Sequence, residues 1–187
     1  MSAPVFDDIM IDANGTITYR NENGLLHRLD GPAVGRANGD KEWWVNGKRH
    51  RLDGPAIERG DGSRAWYKDG VLHREDGPAI EDSKGDKRWY INGQLHRDNG
   101  PALEYKDGTK AWCKHGLFHR LDGPAIEFSD GSKEWFVEGK HHRLDGPAIE
   151  NRDGYKAWWV NGKFVGSTGG IGGFTDEEFE KWKKENL

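Results

Sequence analysis

Apolar residues in this chain occur in short runs, such as Pro-Ala-Ile-Glu (55–58) and Arg-Trp-Tyr-Ile (88–91), each closed by a turn dipeptide. Short runs with β-branched and aromatic residues, bounded by Gly, Asn and Asp, read as strands. The turns are supplied by Asp61-Gly62, Asp107-Gly108 and Asp153-Gly154, and by Asn46-Gly47, Asn92-Gly93 and Asn161-Gly162. Such pairs tolerate positive φ at both central positions, which a tight type I′ turn requires. The pattern predicts β-hairpins.

The pattern also repeats. The hexapeptide His-Arg-x-(Asp/Asn)-Gly-Pro stands at 27–32, 50–55, 73–78, 96–101, 119–124 and 142–147, a spacing of 23 residues every time. Tryptophan recurs in the same register at Trp43, Trp66, Trp89, Trp112, Trp135 and Trp158. Two glycine columns do so as well, one from Gly39 to Gly154 and one from Gly47 to Gly162. Residues 1–29 read as an N-terminal cap with a degenerate first unit, Tyr19 lying near the Trp slot, and residues 30–163 as six units, the last truncated by the tail. Pro32, Pro55 and their counterparts lack a backbone donor and belong at a strand start or edge. A lone hairpin is marginal in water, so the units must stack on their neighbours. With two strands per unit, six units extend about 60 Å at ~4.8 Å per strand. The expected fold class is all-β: an elongated, solenoid-like stack of 23-residue hairpins forming a twisted antiparallel sheet, with a short C-terminal α-helix. A three-sided β-helix is the alternative, although the Leu-His-Arg side offers it few inward aliphatics.

The tail departs from the period. Residues 164–173 read as a Gly-rich linker, and residues 174–187 as a capping or docking helix. Thr175 and Glu178 form a capping-box pair before a helix over 176–186. Phe179 and Trp182 share a face of that helix, and Phe174 is placed as a hydrophobic staple. An open sheet edge invites aggregation, so the helix is expected to cover the last hairpin. Docking on a partner, including a homodimer formed through this helix, is the second reading.

Composition then narrows the classes. Of 187 residues, 34% are hydrophobic, below the ~45–50% of ordinary soluble domains. The 11% of aromatics argues against disorder, and a one-dimensional stack needs no thick core. A net charge of −4 argues against affinity driven by phosphate neutralisation, hence against nucleic acid. One cysteine, Cys113, forms no internal disulfide. No 18-residue apolar run and no secretion signal are present, so the expected location is cytoplasmic, with no membrane span.

The residues Trp-Tyr-x-Asn-Gly-Lys-x-His-Arg, followed by Asp-Gly-Pro-Ala-x-Glu and Asp-Gly-Ser-Lys, resemble the MORN repeat family and its divergent bacterial and phage-type variants, over residues 11–163. The 23-residue period, the aromatic opening (Trp89-Tyr90), the Asn-Gly-Lys turn with a following His (Asn46 to His50) and the Asp-Gly turn carry the likeness. Where a usual unit runs His-Gly-x-Gly, this chain has His-Arg-x-Asp-Gly-Pro-Ala, which shifts the turn by about two residues. The resemblance implies a binding or scaffolding array, with roles in protein association and phospholipid contact, and no activity of its own. It also implies a phage-encoded inhibitor or decoy as one form, acting in a bacterium or an infected host cell.

Two polar columns invite chemistry: His27, His50, His73, His96, His119 and His142, and Arg28, Arg51, Arg74, Arg97, Arg120 and Arg143. Two strands per unit place successive members about 10 Å apart, too far for several histidines to share one metal at about 2 Å. No cofactor or metal is expected. A catalytic group is singular whereas these recur, and no nucleophile elbow appears; no enzyme is expected. The plain reading pairs each Arg and His with backbone or with the column Glu58, Glu81, Glu104, Glu127 and Glu150. The Trp column, with His50, His73, His96, His119 and His142, is then structural. The adjoining column, Trp44, Tyr67, Tyr90, Cys113, Phe136 and Trp159, alternates to the other face if the strand continues. Its aromatic members, with Arg51, Arg74, Arg97, Arg120 and Arg143, are the candidate binding residues. The expected partner is another protein; the alternative is a nucleotide or other anionic small molecule held by the Arg, Trp and His columns.

Overall fold

The computed structural model describes residues 8–169 and 173–187. Its contacts divide the chain into two compact units, Met1–Gln94 and Leu95–Leu187. Both are built from antiparallel hairpins. In the first, strands follow one another in chain order as Asp8–Ile11, Ile17–Arg20, Val34–Gly35, Lys41–Glu42, Ile57–Glu58, Arg64–Ala65, Ile80–Glu81 and Lys87–Arg88. The second holds Leu103–Glu104, Lys110–Ala111, Ile126–Glu127, Lys133–Glu134, Ile149–Glu150, Lys156–Val160 and Lys163–Ser167. The fold is thus all-β hairpin repeats with one short helix, Asp176–Asn186.

Register sorts the side chains. In the first unit Lys41 faces Glu58, Glu58 faces Arg64, Arg64 faces Glu81 and Glu81 faces Lys87. In the second, the sequence Glu104, Lys110, Glu127, Lys133, Glu150, Lys156 alternates in the same way. Opposite charges directly across a ladder contribute about 0.2–1 kcal/mol each. The other face carries Ile57, Ala65 and Ile80 in one unit, and Leu103, Ala111, Ile126 and Ile149 in the other. The alanines after each Asp-Gly-Pro (Ala33, Ala56, Ala79, Ala102, Ala125, Ala148) are fully buried.

Each repeat before the last holds two hairpins rather than the single one expected. After Arg64–Ala65 the strand stops at Trp66, and Tyr67–Lys68 pairs with Val71–Leu72 in a separate two-stranded ribbon. Trp66 is the corner: its N–H donates to Ala79 O (2.8 Å) and its carbonyl accepts from His73 N–H (3.1 Å). Trp43, Trp112 and Trp135 make the same pair of bonds. The ribbons interlock within a unit, since Gly47 N–H donates to Leu26 O and Gly70 N–H to Arg49 O, both at 2.9 Å.

The two turn classes also differ. Ribbon turns place both central residues at positive φ, as in Asn46 (47°) and Gly47 (74°), which is the type I′ form. In the Asp-Gly turns only the glycine does so (Gly62 92°, Gly108 95°, Gly154 90°), so the type I′ expectation fails there. The aspartate explains it. Its carboxylate accepts the N–H two residues on, Ser63 on Asp61 (2.8 Å) and Thr109 on Asp107 (2.8 Å). That bond suits a type I turn closed by a left-handed glycine.

At the C-terminus the linker expected over 164–173 begins later, because Lys163–Ser167 is a strand paired with Lys156–Val160; residues 170–172 lie outside the described residues. The capping box is formed, with Glu178 N–H on Thr175 Oγ1 and Thr175 N–H on Glu178 Oε2. Phe179 is buried against Trp158 and Val160, with Phe174, Val165 and Trp182 around them. The helix therefore seats on its own last hairpin. Lys183 Nζ fastens it further, donating to Leu144 O at 2.7 Å.

Candidate functional site

The arginine column is where sequence and geometry meet. The guanidinium carbon of Arg51 lies 4.0 Å from the ring centroid of Trp43, that of Arg120 4.0 Å from Trp112, and that of Arg143 4.0 Å from Trp135. Arg28 stacks in the same way on Tyr19 (4.0 Å). On the other side of the guanidinium is the glycine of Asp-Gly-Pro: a Cβ on Gly54 would stand 3.0 Å from Arg51 Cζ. At its edge, Arg51 Nε donates to Asp53 (3.0 Å) and Nη1 to Pro55 O (3.2 Å) and Glu58 (2.9 Å). Arg74, Arg120 and Arg143 repeat all three bonds. Arg97 makes the bonds to Pro101 O and Glu104. A planar fork with an aromatic face is what a guanidinium provides and an ammonium does not. The guanidinium hydrogen bond also holds Asp30, Asp53, Asp76, Asp122 and Asp145 below the ordinary carboxylate range.

The histidines secure the next ribbon. Nδ1 of His27, His73 and His142 accepts the N–H of Asn46, Asn92 and Asn161 at 3.0–3.1 Å. His50, His96 and His119 serve Asp69, His115 and Glu138 likewise. Each receiving residue is the first of its type I′ turn, held at φ near 50°. The ring thus satisfies a donor that the left-handed turn leaves without a strand partner. Nε2 faces a carboxylate at His73 (Glu75, 3.3 Å) and His96 (Asp98, 3.4 Å).

The adjoining column, Trp44, Tyr67, Tyr90, Cys113, Phe136 and Trp159, is not an exposed stripe. All six are half-buried or buried, Cys113 and Phe136 fully. Alternation between faces requires a regular continuous strand; the corner breaks it at Trp43, Trp66, Trp112 and Trp135, and at Trp158 the strand runs on into Trp159 with a shift of register between the two. In the second unit these side chains join a run of rings, Phe118 to Phe136 (5.4 Å), Phe136 to His141 (4.0 Å) and His141 to Trp159 (5.5 Å). Burial pushes the Cys113 thiol up to about 11.

What the columns leave exposed is the third position of the hexapeptide loops, the variable residue between His-Arg and Asp-Gly-Pro. Leu29, Leu52 and Leu121 are 80%, 78% and 80% exposed, and Leu144 44%. Grooves lie between successive loops. One of about 590 Å³ runs between Leu52 and Glu75 and is lined also by Trp66 and Lys68. Another, of about 650 Å³, lies between Leu121 and Leu144, lined also by Pro124, Trp135 and Val137. Four apolar side chains in one motif position, flanked by His-Arg and Asp-Gly-Pro, are the only signal that the sequence carries of this surface.

Among the described residues no three His, Cys, Asp or Glu side chains converge as metal ligands, and no helix is long and apolar enough to cross a membrane. Fold and columns together define an all-β protein of paired-hairpin repeats closed by a helix. In comparisons with known proteins, no family model matches this chain and no curated protein matches it.

Proposed function

We propose that this is a non-enzymatic binding protein, a MORN-like array whose hexapeptide loops engage another protein. The observation that supports this reading is the pair Leu121 and Leu144 flanking a groove with Trp135, Val137 and Pro124. Exposed leucines on both sides of a groove that also carries Pro124 and Val137 suit an apolar anchor from a partner, the usual centre of a protein interface. Carboxylates of Asp122 and Asp145, about 85% exposed, form the polar rim. Occupying a partner's surface in this way is the action of an inhibitor or decoy, and a phage origin belongs to the same proposal.

The alternative, sequestration of a nucleotide by the Arg, Trp and His columns, has less to draw on. The arginine forks already bind carboxylates and carbonyls, and the indole faces are already stacked. The test is affinity capture from host lysate with wild type and with Leu121→Asp/Leu144→Asp. A protein retained by wild type and lost by the variant, with circular dichroism unchanged, supports the reading. Equal retention by both, or release of a small molecule with no protein, overturns it.

A further inference from the structure

In the 23-residue register, one column reads Glu42, Ala65, Arg88, Ala111, Glu134 and Ala157, so Glu42 and Glu134 occupy the same place four repeats apart. Glu42 is saturated. Its Oε1 accepts from Arg36 Nη1 at 2.6 Å and lies 3.6 Å from Arg59 Nη1, while Oε2 accepts from Arg49 Nη2 and Trp44 Nε1, both at 3.2 Å. Asp40 completes the set, taking Arg59 Nη1 (2.9 Å) and Gly60 N–H (2.9 Å). Burial alone would raise the Glu42 carboxyl; hydrogen bonds from Arg36 and Arg49 outweigh it and hold it below its ordinary range.

Around Glu134 the same columns read differently. Phe128 stands for Arg36, Ser132 for Asp40, His141 for Arg49 and Asn151 for Arg59. His141 Nε2 reaches Glu134 Oε2 at 2.9 Å, reproducing the Arg49 contact. Ser132 Oγ accepts Arg152 N–H at 3.0 Å, reproducing the Gly60 contact. The two positions that supply guanidinium to Glu42 Oε1 carry none here. Instead an open cavity of about 520 Å³ lies beside Glu134, lined also by Phe128, Asp130, Ser132, Asn151, Arg152 and Asp153. Three carboxylates against one arginine leave the lining net negative.

We propose that the cavity beside Glu134 binds a guanidinium group supplied by another molecule. Glu134 Oε1 has no partner among the described residues, and its counterpart in the first unit takes a guanidinium at the same atom. The Phe128 ring, 37% exposed, adds an aromatic face for a flat cation. Ser132 and Asn151 provide acceptors beside the carboxylate, so a forked donor fits better than a single ammonium. This reading does not depend on the leucine grooves, which lie elsewhere on the repeat.

The test is a nuclear magnetic resonance titration of the full chain with N-acetyl-arginine amide, its lysine analogue, and acetyl-Gly-Arg-Gly amide. Saturable shifts at Phe128 and Ser132 with the arginine compound are expected, with affinity at least about tenfold lower for lysine. Glu134→Gln should abolish them. Phe128→Arg/Asn151→Arg restores the two arginines that serve Glu42 Oε1, so it should fold, melt higher and bind nothing; it carries the test if Glu134→Gln does not fold. Tighter binding of the peptide assigns an arginine of a polypeptide, and equal binding a free guanidino compound. No saturable shift with wild type, or the same affinity in Phe128→Arg/Asn151→Arg, overturns the proposal.

Discussion

The guanidinium carbon of Arg74 lies 3.9 Å from the ring centroid of Trp66, eight residues earlier in the chain, and its fork binds Asp76, Pro78 O and Glu81. One side chain therefore ties a corner of one ribbon to the loop and strand that follow it. Arg74→Lys keeps the charge but not the plane or the fork. It is expected to lower stability by about 1–3 kcal/mol in urea unfolding, and Arg74→Ala by more, because Glu81 and the Pro78 carbonyl then lose their donor.

Glu138 sits at φ 51°, first in its ribbon turn, where other repeats have Asn46, Asn92 and Asn161. A left-handed conformation costs an ordinary residue roughly 1–2 kcal/mol and asparagine less. Glu138→Asn is expected to raise the unfolding free energy by about 0.5–1 kcal/mol, measured by denaturant titration. No change would mean that the turn is not strained.

Gly166 occupies the place where each earlier unit has its stacking arginine, eight residues after the tryptophan. A Cβ there would overlap the Phe174 ring, which packs on Trp158 at 5.3 Å between centroids. Gly166→Ala should dislodge Phe174 and loosen the helix. Faster proteolysis within residues 173–187 and a red-shifted Trp158 emission are the expected readings.

Cys113 is 2% exposed and its thiol is pushed up to about 11 by burial. A thiol, not a thiolate, is present at pH 8. Iodoacetamide should leave the native protein unmodified and alkylate Cys113 only after denaturation; labelling of the native form at a free-thiol rate would contradict the packing.

Five loop aspartates, Asp30, Asp53, Asp76, Asp122 and Asp145, are held below the ordinary carboxylate range by their arginines. A carboxyl depressed on folding stabilises the native state above its unfolded value of about 3.9 and loses that stabilisation as pH falls through its folded value. From this source the urea midpoint should be flat above about pH 5 and fall below about pH 4, modestly because the carboxylates are exposed. In 1 M salt the fall should be shallower, because these pairs are exposed.

The period, the hairpins, the capped helix and the pairing of the arginine and glutamate columns are all legible in the residues, because each is a local or regularly spaced signal. The corner at Trp66 is not. Its N–H and C=O are satisfied by Ala79 and His73, one further along the sheet and one along the ribbon, and nothing in the dipeptide Trp66-Tyr67 announces the change. Strand alternation therefore predicts for the second aromatic column a free face that the fold does not have. The Asp-Gly turns misled for a smaller reason, since one carboxylate bond to Ser63 N–H decides between two turn types that the same dipeptide permits. The contrast between Glu42 and Glu134 becomes visible only once residues 6 behind, 7 ahead and 17 ahead are known to converge on one carboxylate.

The exchange of arginine for Phe174 at the last tryptophan separates two kinds of joint. A tryptophan roofed by the arginine of its successor can be followed by another copy of the same unit, whereas Trp158, roofed by Phe174 and Phe179, cannot. Length in such a chain is counted, not continuous: whole blocks of 23 residues can be added or removed upstream of Trp158 while the helix keeps its seat on the last hairpin. Evolution or an engineer can thus tune the number of loops offered to a partner without redesigning any contact.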